Sequence, residues 1–163
     1  MQVDTAANAV GRRILAANRD AGLGLAFDGT ALWVATRTEV QRIDPATGTV
    51  TARIQGDATS LVVVDGTLWA TRGSELLRID PGEATILEFI PGLRSSGPVA
   101  IRDGILWTGG RSGPSVLEGR DLGSPAPRYL AEIPEGASSL ALTSDTIWVG
   151  SVEGGVAYRF RLP

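Results

Sequence analysis

Three arginines stand just after three of the four tryptophans in this sequence, a placement that could serve anion recognition. Arg37, Arg72 and Arg111 occupy this place, and Ser151 or Glu153 takes it in the last copy of the pattern. A guanidinium group forms forked hydrogen bonds with carboxylates and phosphates. We therefore predict a ligand-binding set for a protein surface or a small anionic ligand, consisting of Arg37, Arg72, Arg111 and Glu153. The alternative is that these are solvated hairpin residues.

The composition excludes much other chemistry. The chain has no cysteine, histidine or lysine, and all 15 basic residues are arginine. Imidazole bases, thiolate nucleophiles, Schiff bases and sulfur or imidazole metal ligands are therefore ruled out for these 163 residues. We predict no catalytic residue, no metal site and no cofactor.

Charge and hydropathy limit the partners and the compartment. The net charge of -3 and the pI near 5.0 argue against nucleic acid, which needs a concentrated positive surface. Apolar runs such as 61–64 are far shorter than the roughly 20 residues of a membrane helix. We expect no membrane partner. A chain that starts at this Met is expected in the cytoplasm, and one whose signal sequence had been removed would be secreted or periplasmic.

Five aspartates recur in short polar segments and could be imagined as carboxylate metal ligands. They are Asp28, Asp65 and Asp103 in Asp-Gly pairs and Asp44 and Asp80 in Ile-Asp-Pro segments. Each lies where the chain must reverse, and successive copies are one repeat apart. We predict that they stabilise turns.

The elements that position these residues follow from the four tryptophans. Trp residues at 33, 69, 107 and 148 are separated by 36, 38 and 41 residues, which indicates a repeat of about 40 residues. Because one Trp recurs at the same place in each repeat, we predict that all four pack between neighbouring sheets.

Each repeat reads as two hairpins. An alternating apolar segment runs into Asp-Gly and then into the Trp segment, as in GLAFDGTALWVATR and SLVVVDGTLWATR. Asp-Gly between two such segments is a strong hairpin signal and defines strands A and B. A second pair follows, as in VQRIDPATGTVTARI, and defines strands C and D. A four-stranded antiparallel meander of this length is typical of a propeller blade.

The two ends of the chain are complementary. MQVDTAANAVGRRI aligns with QRIDPATGTVTARI, so the chain begins at a C strand and carries a D strand before its first A strand. The fourth repeat supplies strands A, B and C and then stops. We predict that the strand at 10–16, of this chain or of another, supplies the missing D strand and leaves no open edge.

The sequence thus predicts an all-β fold, a single β-propeller domain over 1–163 with four repeats. The predicted blades span 19–55, 56–91, 95–134 and 136–162, the last completed by 10–16. Loops between strands B and C and between D and A should open on one face of a propeller. Arg19, Asp20, Asp57, Arg94 and Glu135 should therefore lie with the three arginines around the channel mouth.

The frame A-x-x-DG-x-x-WVA-x-R followed by RIDP-x-TG-x-V resembles the bacterial YVTN and NHL-type propeller repeats, especially those of virginiamycin B lyase-like proteins. Members of that family usually have more than four blades. The resemblance implies a fold but no carried-over active site, because the lyases use a catalytic histidine that this chain lacks. The related gluconolactonase-like enzymes hold a metal with Glu, Asn and Asp. Here the only asparagines are Asn8 and Asn18, both N-terminal.

Three functions remain open. The first is a non-catalytic binding module that uses the loops around Arg37, Arg72 and Arg111. The second is a short propeller, natural, excised or engineered, whose main property is folding and self-assembly, for example two chains forming an eight-bladed ring. The third, which we rank last, is a metal-dependent lyase or lactonase-like enzyme built on carboxylates.

Overall fold

The fold consists of short antiparallel strands joined by tight turns. In the computed structural model, residues 23–111 and 113–162 are described, together with the backbone of two short strands at 3–4 and 9–10. These residues include no helix, and therefore no helix that could cross a membrane.

The strands form four blade-like sheets and one small N-terminal sheet. The small sheet contains β1 (Val3–Asp4) and β2 (Ala9–Val10). The first blade contains β3 (Gly24–Phe27), β4 (Leu32–Ala35), β5 (Glu39–Ile43) and β6 (Val50–Gln55). The second contains β7 (Ser60–Val64), β8 (Thr67–Arg72), β9 (Glu75–Asp80) and β10 (Thr85–Pro91). The third contains β11 (Val99–Arg102), β12 (Ile105–Gly109), β13 (Ser115–Asp121) and β14 (Tyr129–Ile133). The fourth contains β15 (Ser139–Leu142), β16 (Thr146–Ser151) and β17 (Val156–Arg161).

Within each sheet the strands follow one another in chain order, which makes each blade an antiparallel meander. The first strands of successive blades are neighbours, since β3 contacts β7, β7 contacts β11 and β11 contacts β15. These inner strands line the centre, and the later strands lie further out. The prediction of an all-β four-bladed propeller is confirmed.

The fourth blade differs from the others. Its sheet has three strands in the described part of the chain, where each other blade has four. The fourth strand was predicted from 10–16, of which 11–16 lie outside the described residues. Val10 pairs with Val3 and Ala9 with Asp4, so this short hairpin has the antiparallel pairing expected of the predicted C and D strands.

The Asp-Gly turns depend on left-handed backbone conformations. In the second and third blades both turn residues have positive φ. The angles are 50° at Asp65 and 71° at Gly66 in the second blade, and 51° at Asp103 and 73° at Gly104 in the third. This is the primed turn that matches the twist of the two strands. The first blade uses a longer turn in which Gly29 has a φ of 97° and Asp28 binds the following residues through its carboxylate.

The apolar core is divided among the spaces between adjacent blades. One cluster joins blades 1 and 2 around Trp33 and Leu68, a second joins blades 2 and 3 around Trp69 and Leu106, and a third joins blades 3 and 4 around Trp107. The prediction that all four tryptophans are buried between sheets is correct for three. Trp148 is 41% exposed, because no fifth sheet covers this side of blade 4 in the described structure, and the Arg159 guanidinium lies 5.8 Å from its ring centre.

Candidate functional site

In blades 1 to 3, the loops that follow the second and fourth strands meet at one face of the propeller. The amide of Ala58 donates to the carbonyl of Thr36 at 3.1 Å, joining the two kinds of loop at blade 1. The amide of Leu93 donates to Ser74 at 2.9 Å in blade 2, and that of Ala137 donates to Gly110 at 2.5 Å in blade 3. The predicted loop face is therefore present, and it carries the arginines singled out above.

Arg111 reaches from blade 3 to the other two blades that precede it in the chain. Its Nη2 donates to the carbonyl oxygen of Thr59 at 3.0 Å and to that of Leu23 at 3.3 Å, which are the residues just before the inner strands of blades 2 and 1. One side chain of blade 3 thus links three blades. This contact holds the guanidinium beside the start of the inner strands β3 and β7.

The other two arginines of the predicted set do not converge with Arg111. Arg72 forms an ion pair with Glu75 at 2.7 Å, and its guanidinium carbon lies 5.2 Å from the centre of the Phe89 ring. Both partners belong to its own blade. Arg37 is exposed to solvent. The three equivalent positions therefore have three different environments.

Glu153, the fourth member of the set, connects two loops. Its Oε2 accepts a hydrogen bond from the amide of Gly113 at 2.9 Å, which links the outer loop of blade 4 to that of blade 3. Its ligand-binding role, like that of the three arginines, stays a prediction.

An open cleft of about 980 Å³ lies beside Arg111 on the loop face. It is bounded by the connection between blades 2 and 3, by the loop after β12 and by the end of β14. Its lining combines polar and apolar side chains: Arg94, Ser95, Ser96, Gly110, Arg111, Pro114, Ser115, Val116, Glu132, Ile133 and Pro134. Arg94 and Arg111 share this cleft, while their placement around a channel mouth stays a prediction. Arg19 and Asp20, predicted there as well, lie outside the described residues.

A buried ion pair fixes part of the main chain that lines the cleft. The side chains of Glu118 and Arg120 are fully buried, and Arg120 Nε donates to Glu118 Oε1 at 2.5 Å. Glu118 Oε2 in turn accepts the backbone amide of Arg94 at 3.0 Å, which fixes the main chain from which the Arg94 side chain projects. The repeat pattern does not predict this pair, because strand positions that are apolar in the second repeat, Leu77 and Ile79, become Glu118 and Arg120 in the third.

The aspartates behave as turn residues where the structure describes their contacts. Asp80 Oδ1 accepts the amides of Gly82 and Glu83, and Asp44 Oδ1 accepts the amide of Ala46. In the described residues, no group of three or more acidic side chains is placed to hold a metal ion.

The chain was compared with known proteins. No protein-family model matches it, and no curated protein matches it in sequence. Solved structures do resemble it. The computationally designed Ika4 protein superposes with a TM-score of 0.71 and 15% identity over 94% of this chain and 100% of that one.

Two further neighbours are longer than this chain. The computationally designed Ika8 protein gives a TM-score of 0.67 at 15% identity over 87% of this chain and 46% of that one. BamB from Moraxella catarrhalis gives 0.65 at 12% identity over 85% of this chain and 42% of that one. This chain therefore spans less than half the length of either. At such identities the similarity establishes the fold, which is a β-propeller with four blades in this chain.

Proposed function

We propose that this chain is a short propeller whose main property is self-assembly, with two chains associating head to tail into an eight-bladed ring. The observation that carries the proposal is a pair of exposed apolar surfaces on the two terminal blades. They lie at positions that are packed between blades elsewhere in the same molecule. We call them the seam surface of blade 1, formed by Leu25 and Phe27, and the seam surface of blade 4, formed by Trp148.

The seam surface of blade 1 occupies the inner strand β3. Leu25 and Phe27 are 65% and 57% exposed. The pairing of β3, β7, β11 and β15 with their neighbouring strands identifies the residues of the other blades that are equivalent to Leu25 and Phe27. Those residues pack against the preceding blade: Leu61 and Val63, Val99 and Ile101, Leu140 and Leu142. Blade 1 thus has an apolar surface that suits a preceding blade.

The seam surface of blade 4 is its complement. Trp33, Trp69 and Trp107 each pack against the blade that follows, and the most exposed of them is 6% accessible. Trp148 stands at the same register position and remains 41% exposed. A following blade would cover it. Blade 1 of a second chain offers such a blade, and the symmetric contact forms at the other end of the pair, which closes a two-chain ring.

The outer edge of blade 4 is also open within the described part of the chain, where β17 pairs with β16 alone. Unpaired strand edges favour the addition of another strand. The structural neighbours support a modular interpretation, because the whole of the designed Ika4 chain and 46% of the designed Ika8 chain superpose on this one.

The mass of the particle in solution tests the proposal. Light scattering coupled to gel filtration should give about twice the 17.0 kDa of one chain at micromolar concentration. A single-chain mass at every concentration up to the millimolar range would overturn the proposal, and a mass of three or more chains would exclude the two-chain ring.

Charge substitutions locate the contact. Phe27→Glu and Trp148→Lys each place a charge in both seams of a homodimer, so each variant alone should be monomeric. An equimolar mixture should regain dimers, since one seam is then wild-type and the other pairs Glu with Lys. Leu87→Glu is the matched control, because Leu87 is 53% exposed on the outer strand β10, away from the seam surfaces. Dissociation by the control, or no recovery in the mixture, would contradict the proposed contact.

A second function, favoured by the cleft beside Arg111, is the binding of an anionic ligand at the loop face. The wider set of Arg37, Arg72, Arg111 and Glu153 stays a prediction. The closer affiliation with virginiamycin B lyase-like repeats is also a prediction, and it rests on the repeat frame. The absence of catalysis is a prediction too, and it rests on the lack of His, Cys and Lys.

A further inference from the structure

The cleft beside Arg111 has an excess of positive charge in an acidic protein. The chain carries a net charge of -3, yet the described lining contains two guanidinium groups, Arg94 and Arg111, and one carboxylate, Glu132. The Arg94 side chain is exposed and forms no ion pair with the residues that the structure describes. Its donors are available to a ligand.

The second arginine is held in place before any ligand binds. Two carbonyl oxygens, of Thr59 and Leu23, accept hydrogen bonds from Arg111 Nη2. Its Nη1 and Nε donors are not used in these contacts. A guanidinium that is already oriented loses less side-chain entropy when it binds an anion, which favours a small ligand.

A serine hydroxyl in the cleft lacks a partner. Ser95 Oγ is buried and accepts or donates no hydrogen bond in residues 23–111 and 113–162. A buried hydroxyl without a partner is unfavourable, so rotation of the Ser95 side chain towards a ligand oxygen in the cleft would stabilise it. Ser95 lies next to Arg94 in the chain, and both line the cleft.

The rest of the wall is apolar. Val116 and Ile133 contribute aliphatic side chains, and Pro114 and Pro134 add two rings. A ligand that uses the whole cleft therefore needs a hydrocarbon part as well as an anionic part, as is usual for small-molecule sites of a few hundred Å³ or more.

We infer that Arg94, Ser95 and Arg111 form a binding site for a small organic dicarboxylate with an apolar body. Planar carboxylates match the fork of each guanidinium, which is the reason for preferring them to a spherical anion. This inference rests on the second proposed function, anion binding at the loop face, and is independent of self-assembly.

Titration of the ¹⁵N-labelled chain with phenylsuccinate tests the site. Amide signals of Ser96 and Gly110 should shift on titration, and phenylsuccinamide, the uncharged analogue, should leave them unchanged. Arg94→Gln should weaken binding about tenfold, the loss expected for a charged hydrogen bond, and Ser95→Ala about threefold. The dispersion of the spectrum shows that each variant is folded.

Arg128→Gln is the control, because Arg128 pairs with Asp121 at the surface and does not line the cleft. It should leave the affinity unchanged. An unchanged affinity in Arg94→Gln, or an equal loss in Arg128→Gln, would overturn the site, while charge-dependent shifts of Ser96 and Gly110 would retain anion binding at the loop face. Equal shifts with the uncharged analogue, or no shift at all, would overturn both.

Discussion

The turn of the first blade is organised around one carboxylate. Asp28 Oδ1 accepts the amides of Thr30 and Ala31 at 2.8 and 2.7 Å, and Oδ2 accepts the indole Nε1 of Trp33 at 2.7 Å. Partial burial raises the pKa of Asp28, but the hydrogen bonds from Trp33, Ala31 and Thr30 outweigh it, and the pKa falls from its ordinary 3.8 to about 2. The ionised form is therefore favoured in the folded state.

This lowered pKa predicts a defined acid sensitivity. The stabilisation from Asp28 is fully present above pH 3.8 and is lost as the pH falls through about 2. Asp28→Asn should lower the free energy of unfolding by about 1 kcal/mol at pH 7, because an amide cannot accept every one of these hydrogen bonds. Urea unfolding at pH 7, 4 and 2 measures this difference, which should shrink towards pH 2.

Asp65→Asn is the control, since Asp65 belongs to a turn in which the backbone conformation, with a φ of 50°, is tolerated by asparagine. Its effect on the free energy of unfolding at pH 7 should be small. A difference between Asp28→Asn and the native chain that stays constant from pH 7 to pH 2 would contradict the role of the Asp28 charge.

Strand β13 is attached to its surroundings by the buried Glu118–Arg120 pair. Arg120 donates to the carbonyl of Gly92 at 2.6 Å and to that of Ser124 at 3.2 Å. One guanidinium therefore connects the strand, the end of blade 2 and the long loop before β14. Its charge is buried, and Glu118 is its partner.

Glu118→Gln should be strongly destabilising because it leaves the Arg120 charge buried and uncompensated. We expect a loss of about 3–5 kcal/mol in the free energy of unfolding. Glu75→Gln is the matched control, since Glu75 pairs with Arg72 in a partly exposed site and the same change there should cost less than about 1 kcal/mol. Chemical denaturation of both variants measures the contrast, and equal losses would contradict it.

Much at the level of elements could be predicted from the sequence, because the repeats share a frame. The Asp-Gly turns and the Trp strands of blades 2 and 3 have the predicted form. The third repeat departs from the shared frame at a position where the neighbouring sequence gives no sign of the change. Gly119 stands opposite Trp107, and a Cβ there would lie 2.5 Å from the indole ring, whereas Arg42 and Arg78 stand opposite the tryptophans of the first two blades. The indole fills this space and stacks on Tyr129.

The candidate site was less predictable than the fold. Equivalent positions in a repeat predict a shared face, and that face exists, but they do not determine what each side chain contacts. Arg72 has an acidic partner three residues along the chain, while Arg111 reaches two other blades. Long, flexible side chains respond to their immediate neighbours, and those neighbours lie in loops that differ from repeat to repeat.

At the scale of the molecule, self-assembly predicts a thermal stability that depends on concentration. Association stabilises only the folded chain, so a 100-fold increase in concentration should raise the unfolding midpoint by about 3 °C. Phe27→Glu should remove this dependence. Differential scanning calorimetry at two concentrations measures it. An equal shift in both proteins would indicate a contact other than the seam surfaces.

The two seam surfaces are different from each other, and this gives the molecule a direction. A surface of blade 4 that recognises blade 1 does not recognise itself, so each chain has a head and a tail. The number of chains in the assembly is then set by the rotation from one chain to the next. A small change in that angle, through a substitution near Phe27 or Trp148, would convert a closed ring into an open helical fibre without weakening any single contact.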